Sequence, residues 1–514
     1  MFNKCIKIVV FFILMVLCLA VFANSMTKPV SRDEQMYCAG AVLLAKGNMI
    51  YRDFSYVAQM PYHALLCAAL FKATGTTHYL LVVRVLSSIC DILVILCIVC
   101  IYRCLFNHFR TWGWLLGLAG AILYLCNPFV DYANGLAWNH DVVIACVMLA
   151  TVIFTFVNSA AKPKFWLYAV IGALLTVATC MRITTVLVQL LFFAVLFFKP
   201  VKLTKQRFKP IVPFLIGTLL AAVWPIWTII AGPRAFFLNL FRIPALNSQF
   251  LHSIGMFHSK MGLTLVFLGT LSCLLLVLMT GYLYAAALYN LRRFRVFGTR
   301  ILMLTALLPI GFFIIAYLPP TMWIQYFAMP VPFFVISFAY PMIHLRKSAD
   351  GIGHSTNFRI ASAGIAACVF AAVISYPAVL YRIPKLLDFQ NWVPLTIHSV
   401  SDDIAAKTKE PKLILTLSPL FALEGGCDIY LQLSAGPFVY RVADRMRPAE
   451  LHVTNTAGAN TLGQILKDAP PSAVIVGRES EFLEFPLLQE AVGPDREKWT
   501  TKQYSNGIVA YFRR

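Results

Sequence analysis

The sequence predicts a polytopic all-α membrane protein with about eleven transmembrane helices, outer interfacial helices and a small C-terminal extracytoplasmic α/β domain. Composition is the first reason. Of 514 residues, 60% are hydrophobic and 13% charged, with mean hydropathy +0.76; a soluble domain has roughly 45–50% and about 25%. Charge placement is the second. The formal charge is +21, yet residues 385–514 hold 14 basic and 15 acidic residues, so the excess lies wholly in residues 1–384. Basic charge in short loops is an orientation signal that meets anionic headgroups, so membrane lipids are the expected partner and nucleic acid is not. The acids are the third. Residues 1–384 contain seven Asp or Glu, and five of them (Asp33, Glu34, Asp53, Asp131, Asp141) fall in two short segments between apolar stretches.

A span needs about 20 apolar residues. Candidates run near 6–24, 79–102, 113–130, 138–157, 164–181, 183–199, 211–231, 261–288, 300–318, 323–344 and 359–381, with 164–199 read as two short spans hinged at Met181-Arg182. The first stretch also fits a cleavable signal peptide; an uncleaved anchor is the expectation. Arg103/Arg110, Lys162/Lys164, Lys199/Lys202/Lys205/Arg207/Lys209, Arg292/Arg293/Arg295/Arg300 and Arg346/Lys347/Arg359 then alternate correctly, with the N-terminus inside. Both acidic segments emerge on the opposite face, as does the tail. Two domains are expected, a multi-span unit over 1–384 with a first outer loop at 25–78, and a soluble unit over 385–514.

Within the first outer loop, Met36 to Lys46 and Pro61 to Lys72 are apolar runs too short to cross, and read as helices lying on the outer surface. The tail changes character. Residues 412–418, 472–477 and 507–512 read as buried strands, alternating with helices at 399–408 and 460–468. Most of the 14 Cys sit inside apolar runs and behave as small hydrophobes.

Charge near a membrane core is costly, so acids kept there mark a site by default. Ser31-Arg32-Asp33-Glu34 follows the first span. Adjacent helical positions face differently, so one carboxylate can enter a cavity while the other pairs with Arg32 or a backbone amide. Such a group suits a general base; equally, Asp33 reads as a helix cap. Trp138-Asn139-His140-Asp141 opens the fourth span. There Asp141 is either a second acid or an aspartate favoured at a helix N-terminus, and His140 either binds phosphate or is a satisfied interfacial histidine. Arg182 is the best-placed cation, with pairing to Asp91 as its bland reading; Arg234, Arg242, His258 and Lys260 are alternatives. Arg84 and Asp91 read as packing groups. Trp323-Ile-Gln325-Tyr326 offers hydrogen-bond donors or an aromatic belt. No Gly-rich phosphate loop, HExxH or Gly-x-Ser-x-Gly is present, which argues against nucleotide, zinc or serine hydrolysis.

The acidic pair, Gly47-Asn-Met-Ile-Tyr51-Arg-Asp53-Phe, Gln59-Met-Pro61-Tyr62-His63 and Arg84 stand in an order that resembles the first outer loop of the C-type (GT-C) membrane glycosyltransferase superfamily. The nearest likeness is to family 39-like enzymes, the protein O-mannosyltransferases and lipid A aminoarabinose transferases. Met60-Pro61 replaces a usual pair of prolines, and the close match covers about 60 residues. The resemblance implies transfer of a sugar from a polyprenyl-phosphate donor, with inversion, to a glycolipid such as lipid A, another glycan or a protein. It implies Asp33, Glu34 and Asp141 as catalytic carboxylates, and Arg182, His140, Gln325, Tyr326 and His63 around the donor. If a metal takes part, Asp33 and Asp141 would hold Mg2+ or Mn2+. A bacterial inner membrane, with the N-terminus cytoplasmic and the tail periplasmic, is the implied location. A lipid or sugar transporter or flippase is the alternative class, since charges within spans suit it too.

Overall fold

A computed structural model describes residues 2–160, 162, 164–197, 208–256, 259–291, 300–347, 352–505 and 507–514. Lys199, Lys202, Lys205, Arg207, His258, Arg292, Arg293 and Arg295 lie outside the described residues. In chain order the helices are α1 (Phe2–Thr27), α2 (Arg32–Ala45), α3 (Tyr62–Thr74), α4 (Tyr79–Leu105), α5 (Arg110–Leu125), α6 (Pro128–Ala133), α7 (His140–Ser159), α8 (Leu167–Thr179) and α9 (Val186–Phe197). There follow α10 (Phe208–Ala231), α11 (Pro233–Phe237), α12 (Ile243–Ser253), α13 (Lys260–Gly269), α14 (Leu271–Leu291), α15 (Arg300–Tyr317), α16 (Val331–Ser337), α17 (Ala339–Lys347) and α18 (Ile352–Ser375). The tail adds α19 (Ala378–Tyr381), α20 (Val393–Lys407), α21 (Pro419–Glu424), α22 (Pro437–Ala443), α23 (Pro448–Thr454), α24 (Ala459–Asp468) and α25 (Glu481–Val492).

The chain is a multi-pass membrane protein. Among the described residues, each of the eleven apolar stretches falls mainly on a helix or a helix pair. Among the described residues seven helices are long and apolar enough to cross a bilayer, or eight if α13 and α14, bent by 84°, form one span. The shortfall against eleven comes from α5, α8 and α9. At 1.5 Å per residue these stop short of the bilayer thickness, because the chain leaves the helix at Cys126 and at Arg182 to build loops. The outward side chains are apolar, among them Phe11, Leu219, Leu220, Ile230 and Phe370, as lipid contact requires. At one end, Cys104, Asn158, Arg300, Tyr340 and Lys347 surround a common cleft, so the termini of α4, α7, α15 and α17 converge there with their basic residues. The acidic segments lie elsewhere, against the tail.

That tail contains a five-stranded mixed sheet of β1 (Leu413–Thr416), β2 (Asp428–Ile429), β3 (Ala473–Val476), β4 (Trp499–Gln503) and β5 (Val509–Arg513) in the order β2-β1-β3-β5-β4. β1 runs parallel to β2 and β3, whereas β5 is antiparallel to β3 and β4. The expected strands at 412–418, 472–477 and 507–512 are β1, β3 and β5. The short β2 and the polar β4 were not expected; β4 buries only Trp499 of its five residues, so it carries no apolar run.

α2 is covered rather than open to solvent, because Glu34 through Leu43 are all buried. α21 covers it: the Leu420 amide donates to Gln35 Oε1 at 3.1 Å. Other links tie the tail to the outer loops. Asn455 donates to the Asp53 carbonyl at 2.7 Å, Ser55 to the Thr454 carbonyl at 2.9 Å, and Arg478 to the Val30 carbonyl at 3.0 Å. The main hydrophobic core runs from α1 through the bundle into β1, β3 and β5, and a second cluster, with Leu415, Val474 and Trp499, packs the rest of the sheet.

α8 and α10 pack through glycine, as helices do when backbones must approach closely. A Cβ at Gly217 would sit 1.9 Å from the Ala169 carbonyl oxygen, and one at Gly172 2.1 Å from that of Phe214. Gly217→Leu should therefore cost at least about 1–3 kcal/mol and lower the thermal midpoint in detergent. Gly281→Ala, where a Cβ meets nothing within 4 Å, should leave that midpoint unchanged or higher.

Candidate active site

α2 begins with a capping box. The Glu34 amide donates to Ser31 Oγ at 3.3 Å, and Glu34 Oε2 accepts from the Ser31 amide at 2.7 Å. The rest of the Glu34 carboxylate is also occupied. Arg84 Nε and Nη2 donate to Oε1 and Oε2 at 2.8 and 2.9 Å, and the Ala137 amide to Oε1 at 2.6 Å. Both side chains of this ion pair are 0% exposed. Arg84 Nη1 reaches the Ser25 and Lys28 carbonyls at 2.9 and 2.7 Å. The pair thus ties the end of α1, the start of α2, α4 and the loop before α7. The catalytic expectation for Glu34 is corrected to a positioning role, since no oxygen of its carboxylate is open to a substrate. Arg84 has the packing role its place on α4 suggested.

One position earlier, Asp33 points elsewhere. It lines two cavities at once, of about 150 and about 590 Å3. Trp138, Trp323, Gln325, Phe438 and Arg441 are the other residues common to both. Among the described residues none hydrogen-bonds the Asp33 carboxylate. Burial pushes its carboxyl up to about 6, with Arg441 and then Arg32 drawing it back and Glu34 adding to the rise. An unpartnered carboxylate with a raised pKa between two chambers is poised to take a proton near neutral pH.

The smaller cavity also holds His140, Arg182, Gln59, Gln325, Tyr326, Asn139 and Tyr37. Arg182 sits at the break between α8 and α9, in an extended conformation (φ −140°, ψ 105°). It stacks 4.9 Å over the Tyr326 ring and donates to Met329 Sδ at 2.7 Å, and among the described residues no carboxylate forms a salt bridge with it. His140 is 2% exposed, and both ring nitrogens lack a hydrogen-bond partner among the described residues. A buried polar group without partners is costly, and here it faces a cavity beside Arg182. The larger chamber has a different rim: Lys28, Arg32, Asp131, Tyr376 and Arg382. Asp131 pairs with Arg382 and accepts from Tyr376 at 2.5 Å.

Two expected residues stand apart. Asp141 is wholly buried; its Oδ2 accepts from the Gly135 amide at 2.8 Å, its Oδ1 has no partner among the described residues, and it reaches neither cavity wall. The left-handed Gly135 (φ +79°), whose Cβ would meet Ser25 at 3.0 Å, allows that turn. His63 is also fully buried, behind Tyr37 with ring centroids 5.1 Å apart, and burial pushes its imidazole down to about 3. Both are corrected to residues supporting the site. Asp33 and Asp141 share no chamber, so these two carboxylates, the pair that would hold Mg2+ or Mn2+ if a metal took part, do not converge on a common site. Asp53 is a turn residue, accepting from the Met49 amide at 2.7 Å and pairing with Arg52.

Arg441 was missed. It lies on α22, with Nε donating to Asn247 Oδ1 at 2.6 Å, and joins Phe438 in closing both chambers over Asp33. Nothing in its local sequence signals this; only folding brings residues 408 positions apart together.

Neither protein-family models nor curated proteins match this chain. Solved structures do. ArnT (lipid A aminoarabinose transferase) from Cupriavidus metallidurans, in the apo state, aligns over 99% of this chain and 98% of its own, with TM-score 0.62 and 11% identity. The same protein bound to undecaprenyl phosphate gives 0.61, 12% identity and 98% coverage of both chains. An oligosaccharyltransferase from Archaeoglobus fulgidus, in complex with zinc and sulfate, aligns with 97% of this chain and 73% of its own, at TM-score 0.50 and 14% identity. The chain therefore has the GT-C membrane fold, as the first outer loop implied.

Removing one half of the buried pair isolates a charge. Arg84→Met should cost about 3–5 kcal/mol, read as a lower thermal midpoint, and Glu34→Leu in the same chain should restore much of it. A single substitution that costs no more than an exposed one contradicts the positioning role.

Proposed function

We propose that this protein is a glycosyltransferase that moves a sugar from a polyprenyl-phosphate donor to an acceptor hydroxyl, with inversion. The single observation that carries the reading is Asp33, a free carboxylate where two chambers meet. Similarity to ArnT bound to undecaprenyl phosphate supports the donor class.

In this reading the smaller chamber takes the donor head. Arg182 and His140 receive its phosphate, while Gln325 and Tyr326 orient phosphate or sugar. The larger chamber admits the acceptor, and its cations Lys28, Arg32 and Arg382 favour an anionic one, such as a phosphorylated glycolipid. The acceptor oxygen attacks the anomeric carbon from the face opposite the phosphate, and the carbon–oxygen bond to phosphate breaks. Asp33 takes the hydroxyl proton. Polyprenyl phosphate departs with the bonding pair, its charge met by Arg182. Preplaced donors of this kind matter most where charge develops in a water-poor site. The 385–514 segment closes both chambers through Phe438 and Arg441. The basic loops support a cytoplasmic N-terminus, with the tail on the outer face of a bacterial inner membrane.

Reconstituted protein offered labelled polyprenyl-phosphate sugars and envelope acceptors tests this directly. Asp33→Asn should lower transfer by about 10²–10⁴-fold at matched folding; equal transfer removes Asp33 as the base. No transfer from any donor, with measurable lipid movement, favours the transporter class. The sign with pH is fixed, since the base must be ionised. Transfer should be lost as pH falls through about 6, where burial has raised the Asp33 carboxyl, and level off above it.

A further inference from the structure

A second cluster of chemistry-bearing side chains lies where the tail meets α4. His78 stands immediately before α4, His398 lies on α20, and Glu424 ends α21. One donor atom from each falls within 4.8 Å of the others. His398 Nδ1 is 2.8 Å from Glu424 Oε2, and the two imidazole rings lie 3.5 Å apart at 33°. His78 Nδ1 is buried without a hydrogen-bond partner among the described residues. Glu424 is 0% exposed, and its other oxygen accepts from the Leu80 amide at 2.6 Å. The cluster is not sealed. Asp402 Oδ2, 3.3 Å from His398 Nε2, belongs to a side chain 60% exposed.

We propose that His78, His398 and Glu424 form a zinc site that fastens the C-terminal segment to the end of α4. The donor set is the argument. Two imidazoles and one carboxylate are ligands that Zn2+ takes in tetrahedral sites, at about 2.0–2.2 Å. Ligand atoms of such a site stand roughly 3.3 Å apart, a spacing these side chains reach by small rotations. Water takes the fourth position, while Asp402, 3.3 Å from the other ring nitrogen of His398, is its outer hydrogen-bond partner. Fixing the Glu424 carboxylate to the Leu80 amide presets the ligand, as outer hydrogen bonds do in metal sites. The ion would satisfy the orphan nitrogen of His78 and hold two closely stacked imidazoles with no like-charge conflict. Through α21, which covers α2, it would also brace the helix that carries Asp33. It is separate from both chambers, since none of its ligands lines either.

The test uses the full chain in detergent, stripped with chelator and titrated with Zn2+ alone. Bound zinc should saturate near one per chain, with the thermal midpoint rising until that point. Co2+ in its place should give the visible absorption of a four-coordinate site. His78→Ala and His398→Ala should each weaken zinc binding by more than the roughly 10–100-fold that loss of an outer partner costs, while Asp33→Asn binds normally. No saturable zinc and no cobalt spectrum in the wild type overturns the site whether or not the variants fold. Zinc lost in Asp33→Asn but kept in His398→Ala also overturns it and moves the ion to the chamber.

Discussion

The buried Glu34–Arg84 pair is the constraint on which the rest depends. Two ions with no exposure are tolerated only when their lone pairs and protons are all occupied, and here five other backbone groups help to do so. That demand fixes where α1 ends, where α2 begins, and how the loop before α7 approaches. Once Glu34 is locked, the helix leaves its neighbour little choice. Asp33 must project about 100° away, into the space between the chambers. One carboxylate is held still so that the next can be free.

The two chambers divide charge in a way that suits two substrates. On one side Arg182 lies beside His140, whose ring nitrogens have no hydrogen-bond partner among the described residues. On the other, Lys28, Arg32 and Arg382 line the wall, with Arg382 paired to Asp131 and Arg32 to Glu479. Neither chamber is complete within the membrane bundle. Phe438 and Arg441 arrive from the tail, so the C-terminal segment lines both chambers rather than standing apart from them.

Much of this was legible in the sequence, and for identifiable reasons. Long apolar runs must become helices in lipid, so the described part of each of the eleven stretches is mostly helical. The acids were visible because membranes make charge rare. The division of labour between Asp33 and Glu34 was legible only as a choice, because adjacent positions announce different faces but not which face meets Arg84. Asp141 and His63 misled for a common reason. A polar residue near a helix start looks the same whether it faces a cavity or a neighbouring turn, and Gly135 and Tyr37 decide that only after folding. The cover over α2 is not legible in its own run, because α21 lies nearly 400 residues away. Arg441 was invisible for the same reason.

The most direct measurement of the central claim is an experimental structure of the protein in a lipid nanodisc with undecaprenyl phosphate. The account predicts the phosphate in the smaller chamber, within hydrogen-bond reach of Arg182 and His140, and Asp33 facing the position its sugar would occupy. A phosphate bound at the basic end near Arg300 and Lys347, or in any site from which Asp33 is walled off, would contradict it.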